Sequence, residues 1–200
     1  MKTHLFLLFL LPLALTVCCL LMLGCNNSTS HSQGEDTDTD MPEKLFKEFT
    51  HPDLSELTPL TMEELEAWLP AELGGLPLHS VHPGSMSRSG VNGIAGRYIN
   101  NGDKEIILTV TDGAGPTAAP IAGGMFGQVE KAINGKLPLN KGEEIVTIGG
   151  IRAIQSYNDY SYHHSFVHQG RLLISVDASR LSKDEAEQVI EALPMDKLIK

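Results

Sequence analysis

No cysteine follows Cys25. Of the three in the chain, Cys18 and Cys19 stand inside an apolar N-terminal run and Cys25 closes it. A domain built from the residues beyond has no disulfide, no Cys-ligated zinc, no iron–sulfur cluster and no thiol nucleophile, so it must hold together by packing. Positive charge is scarce too. Fifteen Lys and Arg face 25 Asp and Glu, a net charge of −10, and Lys2 is the only charged residue before Cys25. That balance speaks against nucleic acid as a partner and against electrostatic attachment to anionic lipid. A G-x-S-x-G nucleophile elbow is also missing. Ser85, Ser87 and Ser89 in His82-Pro83-Gly84-Ser85-Met86-Ser87-Arg88-Ser89 have no ordered acid and histidine to serve them, so a hydrolase is not expected and the segment reads as a turn-rich loop.

What is present begins at the N-terminus. Lys2 supplies a positive start, Leu5 to Leu23 is apolar with Thr16 its only hydroxylated residue, and Gly24 precedes Cys25. This is the grammar of a signal peptide. Leu21-Met22-Leu23-Gly24-Cys25 resembles the lipobox of bacterial lipoproteins, with Met22 where leucine is usual. The resemblance implies cleavage after Gly24 and acylation of the Cys25 thiol, with residues 1–24 removed. An uncleaved membrane span is the competing reading, because the run approaches the roughly 18 to 20 residues that cross a bilayer. Pro12 interrupts the run, and Gly24-Cys25 followed by a polar stretch gives it a cleavable end. Two or more acyl chains hold a protein stably on a membrane, where one does not. Asn26 after the modified cysteine favours the periplasmic face of the outer membrane over the inner membrane, by the same resemblance.

Residues 25–40 read as the lipidated cysteine and an acidic tether. Asn26 to Asp40 contains no apolar residue and cannot offset its own ordering entropy. Fifteen such residues have an r.m.s. reach of roughly 20 Å. Residues 41–200 then form a single domain. Leu45, Phe46 and Phe49 would share one side of a short helix. Thr61 and Glu64 make a capping-box pattern before a helix that runs through Leu65 and Trp68 to Pro70. Trp68 is expected to be a packing anchor. Gly74-Gly75-Leu76-Pro77 reads as part of a turn-rich bridge.

Strands are predicted over Val91–Asn100 and Glu105–Thr111, joined at Asn100-Asn101-Gly102-Asp103. Pro120 to Asn134 reads as a helix, its Gly123, Gly124 and Gly127 allowing close approach to a sheet. Glu144 to Ser156 is one bent strand or a pair turning at Gly149-Gly150. Tyr162–His168 and Arg171–Asp177 form a hairpin around Gln169-Gly170. A last helix is capped by Ser182 and Glu185, buries Val189, Ile190 and Leu193, and stops at Pro194. Sequential strands with short turns imply an antiparallel sheet, hence an α+β fold. A lipobox, a polar tether and one antiparallel α+β domain ending in a capped helix resemble the PsbP-like plan of DcrB-type lipoproteins. The similarity spans Leu54 to Ile199 in architecture and carries no functional residue with it. It implies a binding or assembly factor rather than an enzyme.

Three constellations could carry chemistry. His164 and His168 share one face of a strand with Phe166 between them, roughly 13 Å apart, which is too far for one metal. A zinc or copper site would need His79 or His82 brought in by the fold. Tyr157, Tyr160 and Tyr162 cluster at a turn, where tyrosine serves either cross-strand packing or partner recognition. Gly113, Gly115 and Ala118 stand in G-x-G-x-x-A register, but Pro116 and Pro120 remove amides a phosphate would need. The expectation is therefore a non-catalytic envelope lipoprotein without cofactor. It would contact the membrane through acyl chains and a protein partner through Tyr157, Tyr160, Tyr162, His164 and His168. A small-ligand or metal (zinc, copper) carrier is the alternative.

Overall fold

The computed structural model of the chain describes residues 52–198. The leader, Gly24, Cys25, the tether and the segment of Leu45, Phe46 and Phe49 lie outside the described residues. A 3-10 turn at Pro52–Ser55 leads to helix α1, Met62–Trp68. Thr61 Oγ1 accepts from the Glu64 amide at 3.1 Å and Glu64 Oε2 accepts from the Thr61 amide at 2.8 Å, so the capping box is formed. Trp68 is buried, and its indole N–H donates to the Pro194 carbonyl at 2.9 Å.

Eight strands follow in two groups of four. The first group is β1 (Glu72–Leu73), β2 (Leu76–Pro83), β3 (Gly93–Ile99) and β4 (Glu105–Asp112). Helix α2 (Ala118–Ile133) intervenes. The second group is β5 (Glu143–Ile148), β6 (Ile151–Asn158), β7 (Ser161–His168) and β8 (Leu172–Ser179), and helix α3 (Lys183–Glu191) follows it. The sheet order is β1-β2-β3-β4-β8-β7-β6-β5 with every pairing antiparallel. Each group is thus a meander, and the two meet through their last strands, β4 and β8. This is the α+β architecture expected.

One element departs from expectation. Gly74 and Gly75 (φ +57° and +75°) make a tight turn between two strands, and Leu76–Pro83 is a full strand rather than a bridge. Pro77 and Pro83 obscure it in the sequence. Pro83 is the last residue of β2 and lies beyond the stretch that β1 covers, whereas Pro77 stands opposite Glu72 in the two-residue β1 at the edge of the sheet. Glu144 to Ser156 resolves into two strands turning at Gly149 and Gly150 (φ +56° and +83°).

Cross-strand register sorts the side chains into two faces. One carries rows such as Tyr98–Ile106–Ala178–Tyr162 and Gly96–Leu108–Val176–His164. Helices α1 and α3 cover this face. Leu69 would meet a Cβ on Gly96 at 3.0 Å, and Val189 would meet one on Gly74 at 2.8 Å. Helix α3 also reaches the other end of the sheet, where Lys183 lies 3.8 Å from Glu144 of β5. The sheet therefore curls until both its ends meet one helix. The opposite face carries Val167 and Leu173, which pack against Ala122 and Phe126 of α2.

At the end of β4 a buried ion pair ties these layers together. Asp112 is fully buried and accepts from Arg171 Nε and Nη2, both at 2.8 Å, from the Leu60 amide at 2.7 Å and from the Ala114 amide at 3.0 Å. Arg171 Nη2 also donates to the Thr58 carbonyl at 3.0 Å. The loop with a dinucleotide-like glycine pattern is occupied by this lock. A Cβ on Gly113 would stand 2.7 Å from both Ala122 and Phe126, so the glycine serves helix–sheet packing. Replacing Arg171 by Met strands the Asp112 carboxylate, and urea unfolding should show a loss of about 3–5 kcal/mol. The exposed pair Arg97–Glu105 is the control, since Arg97→Met should change stability by less than about 1 kcal/mol.

Candidate functional site

The tyrosine cluster forms a projecting tip at the β6–β7 turn. Tyr157 and Tyr162 are register partners, with ring centroids 4.4 Å apart and planes tilted by 36°. Tyr157 is 56% exposed and Tyr160 71%, the two most exposed large apolar side chains among the described residues. Their backbone is held. Asn158 Oδ1 accepts from the amides of Tyr160 (3.2 Å) and Ser161 (3.0 Å), and the Tyr160 carbonyl accepts from the Arg180 amide at 2.7 Å. Arg180 itself donates to Asp103 at 2.6 Å, joining the tip to the β3–β4 turn. Rings on a fixed turn offer contact area with little ordering entropy to lose.

The histidines expected to extend this surface do not. His164 is wholly buried, because the period of two along β7 sends His164, Phe166 and His168 to the inward face while β6 and β8 flank the strand on both sides. His168 is half-buried, and it stands at the opposite end of β7 from Tyr162. The proposed five-residue surface thus reduces to Tyr157, Tyr160 and the half-buried Tyr162.

The metal hypothesis meets a similar obstacle. His79 and His82 are exposed on β2, and three strands separate β2 from β7, about 19 Å at ordinary strand spacing. His82 Nε2 lies 3.0 Å from Ser80 Oγ. No three His, Cys, Asp or Glu side chains come together as a metal-holding set among the described residues.

Two arrangements were not foreseen. His164, Gln155 and Glu144 form an in-register row across β7, β6 and β5. Gln155 donates to Glu144 Oε1 at 2.7 Å, so its carbonyl oxygen accepts from His164 Nε2 at 2.9 Å. That fixes the proton on Nε2 and leaves Nδ1 buried with no hydrogen bond among the described residues. Burial lowers the His164 pKa to about 4, with the neighbouring His163 and Lys183 charges adding to the effect. β7 reads Ser-Tyr-His-His-Ser-Phe-Val-His, so His164 does not stand out in the sequence, and only the pairing of β6 with β7 brings Gln155 beside it.

His163 faces the other way and pairs with Asp177 in register, Nδ1 to Oδ1 2.8 Å. Asp177 raises its pKa, chiefly through that hydrogen bond, against a smaller lowering by burial. Ser156 completes the row, but no hydrogen bond joins it to His163 among the described residues, and all three lie on a strand face rather than in a cleft. A half-open groove of about 340 Å³ runs between α1 and the C-terminal turn, lined by Trp68, Pro70, Ala192, Pro194, Glu64 and Lys197. The Trp68 N–H is already engaged there.

The two histidines load stability onto pH in opposite directions. Below its ordinary pKa of 6.5 His164 binds a proton in the unfolded chain but not in the native one until about pH 4. Stability should therefore fall between pH 6.5 and 4, by on the order of 3 kcal/mol. His163, with its raised pKa, stabilises below pH 6.5 and loses that contribution as pH rises through the raised value. The pair is well exposed, so this effect is small. Urea midpoints measured from pH 7 to 4.5 should drop, and His164→Leu with Gln155→Met should flatten the drop. No protein-family model, no curated protein and no solved structure matches this chain.

Proposed function

We propose that the chain is a non-catalytic envelope lipoprotein, held through acyl chains on Cys25 at the periplasmic face of the outer membrane, whose domain binds a protein partner through the Tyr157–Tyr162 tip. The address rests on Leu21-Met22-Leu23-Gly24-Cys25 and the polar tether behind it. The binding role rests on one observation: Tyr157 and Tyr160 are exposed on a turn whose backbone is fixed by Asn158 and Arg180. Exposed tyrosines on a rigid support are typical interface anchors. The alternative, a small-ligand or metal carrier, loses its zinc or copper form to the separation of His79 and His82 from His164 and His168.

Two measurements test this reading. Intact mass of the membrane-extracted protein should show diacylglyceryl and acyl additions and loss of residues 1–24, and Cys25→Ser should abolish both the additions and detergent-phase partitioning. Cross-linking in intact cells should capture a partner that Tyr157→Ala with Tyr160→Ala no longer captures, at unchanged urea midpoint. A captured set indifferent to those substitutions would remove the tip from the proposal.

A further inference from the structure

Asparagine stands directly before glycine three times in the chain, at Asn92-Gly93, Asn101-Gly102 and Asn134-Gly135. Such a step can modify itself. The glycine amide nitrogen, once it loses its proton, can attack the side-chain carbonyl carbon of the asparagine, and the missing Cβ leaves that nitrogen open to approach. A C–N bond forms to the side chain, the bond to the carboxamide nitrogen breaks, and ammonia leaves with the proton. Water then opens the cyclic imide at one carbonyl or the other, giving aspartate or isoaspartate. Water is the only co-reactant. In a folded protein the rate depends on how tightly the asparagine and the glycine amide are held.

Main-chain hydrogen bonds restrain two of the three. Asn92 Nδ2 donates to the Leu60 carbonyl at 2.8 Å, and the Asn92 carbonyl accepts from the Asp112 amide at 2.8 Å. Gly93 is buried at the head of β3 opposite Thr111, and a Cβ there would stand 2.9 Å from the Val110 carbonyl oxygen. Asn134 closes α2. Its amide donates to the Glu130 carbonyl at 2.9 Å, its φ and ψ are −89° and 9°, and the Gly135 amide donates to the Ala132 carbonyl at 3.0 Å. Ring closure at either place must first break bonds that hold a strand or a helix end.

Asn101-Gly102 lacks such restraint. It lies in the turn from β3 to β4, where Asn100, Asn101, Gly102 and Asp103 are all exposed. The Asn101 carboxamide forms no hydrogen bond among the described residues. The Gly102 amide donates only to a side chain, Asn100 Oδ1, at 2.8 Å. Beyond the chain neighbours of Gly102, Asn100 alone would come within 4 Å of a Cβ placed there. A nucleophile held by one side chain in open solvent is released more readily than one held in a ladder or a helix cap.

We propose that Asn101 is a site of self-modification: the Gly102 nitrogen expels the carboxamide as ammonia and leaves aspartate or isoaspartate in the folded protein, while Asn92 and Asn134 persist. The product adds a carboxylate two residues from Asp103, which accepts from Arg180 at 2.6 Å. The Arg180 amide in turn donates to the Tyr160 carbonyl at 2.7 Å. In the isoaspartyl form the side-chain methylene joins the main chain and lengthens the turn. The change therefore falls on the turn tied to the tyrosine tip, and it does not depend on acylation at Cys25.

Ageing of the purified protein at mildly alkaline pH, followed by peptide mass mapping, tests it. The Asn101 peptide should gain the mass difference between carboxamide and acid at least about tenfold faster than the Asn92 and Asn134 peptides, which wait on local opening. An isoaspartyl methyltransferase should label the same peptide. In guanidinium all three should convert at similar rates. Gly102→Ala adds a Cβ that would meet only the end of the Asn100 side chain. It should bring position 101 down to the pace of the other two at an unchanged urea midpoint. Equal conversion of the three in the folded protein, or earlier loss at Asn92 or Asn134, overturns the proposal. So does an Asn101 left intact in the folded protein after the unfolded chain has converted.

Discussion

The Asp112 carboxylate makes four hydrogen bonds in a place water does not reach, and three separate parts of the chain meet there. Leu60 belongs to the approach to α1, Ala114 to the turn into α2, and Arg171 to the start of β8. A buried carboxylate is tolerated only when its lone pairs and its charge are answered together. Once the Arg171 fork answers it, β4 and β8 are fixed in register and α1 and α2 are fixed to opposite faces of one sheet. A cysteine-free domain needs such a constraint more than most, because no disulfide limits its unfolded state.

The local elements were largely legible in the sequence, and for physical reasons. Capping boxes at Thr61–Glu64 and Ser182–Glu185, and the turns at Gly149-Gly150 and Gln169-Gly170, are short-range chemistry that residue types specify directly. β2 escaped because Pro77 and Pro83 are read as breakers wherever strand pairing is unknown, and their places, near the start of the strand against a two-residue edge partner and at its last residue, are visible only in the pairing. The central β4–β8 seam and the curl of the sheet round α3 depend on pairings far apart in sequence, which no local pattern encodes.

The candidate site was legible at one end only. Tyr157 and Tyr160 flank a turn, and turns project, so their exposure follows from position. His164 looks polar and hence superficial, but a residue in a strand flanked on both sides goes where the alternation sends it. Gln155 makes that placement tolerable by accepting the Nε2 proton. The sequence alternation of β6 and β7, taken with the identity of their neighbours, would have found the pair. Knowledge of the neighbours is what the sequence lacks.

The seam between the two meanders has a consequence for the order in which the fold can form. A chain emerging N-terminus first presents β1 to β4 with the inner edge of β4 bare until β8 has appeared, because Glu105 pairs with Ser179 and Asp112 with Leu172. Through that interval the first meander is an open template for any other extended segment. Asp112 must also stay hydrated, since its counter-charge has not yet been made. The first half of the molecule cannot dry its own core, and the commitment to fold waits on the last quarter of the chain. Slow, non-local closure of this kind favours a chain kept unfolded until it is complete.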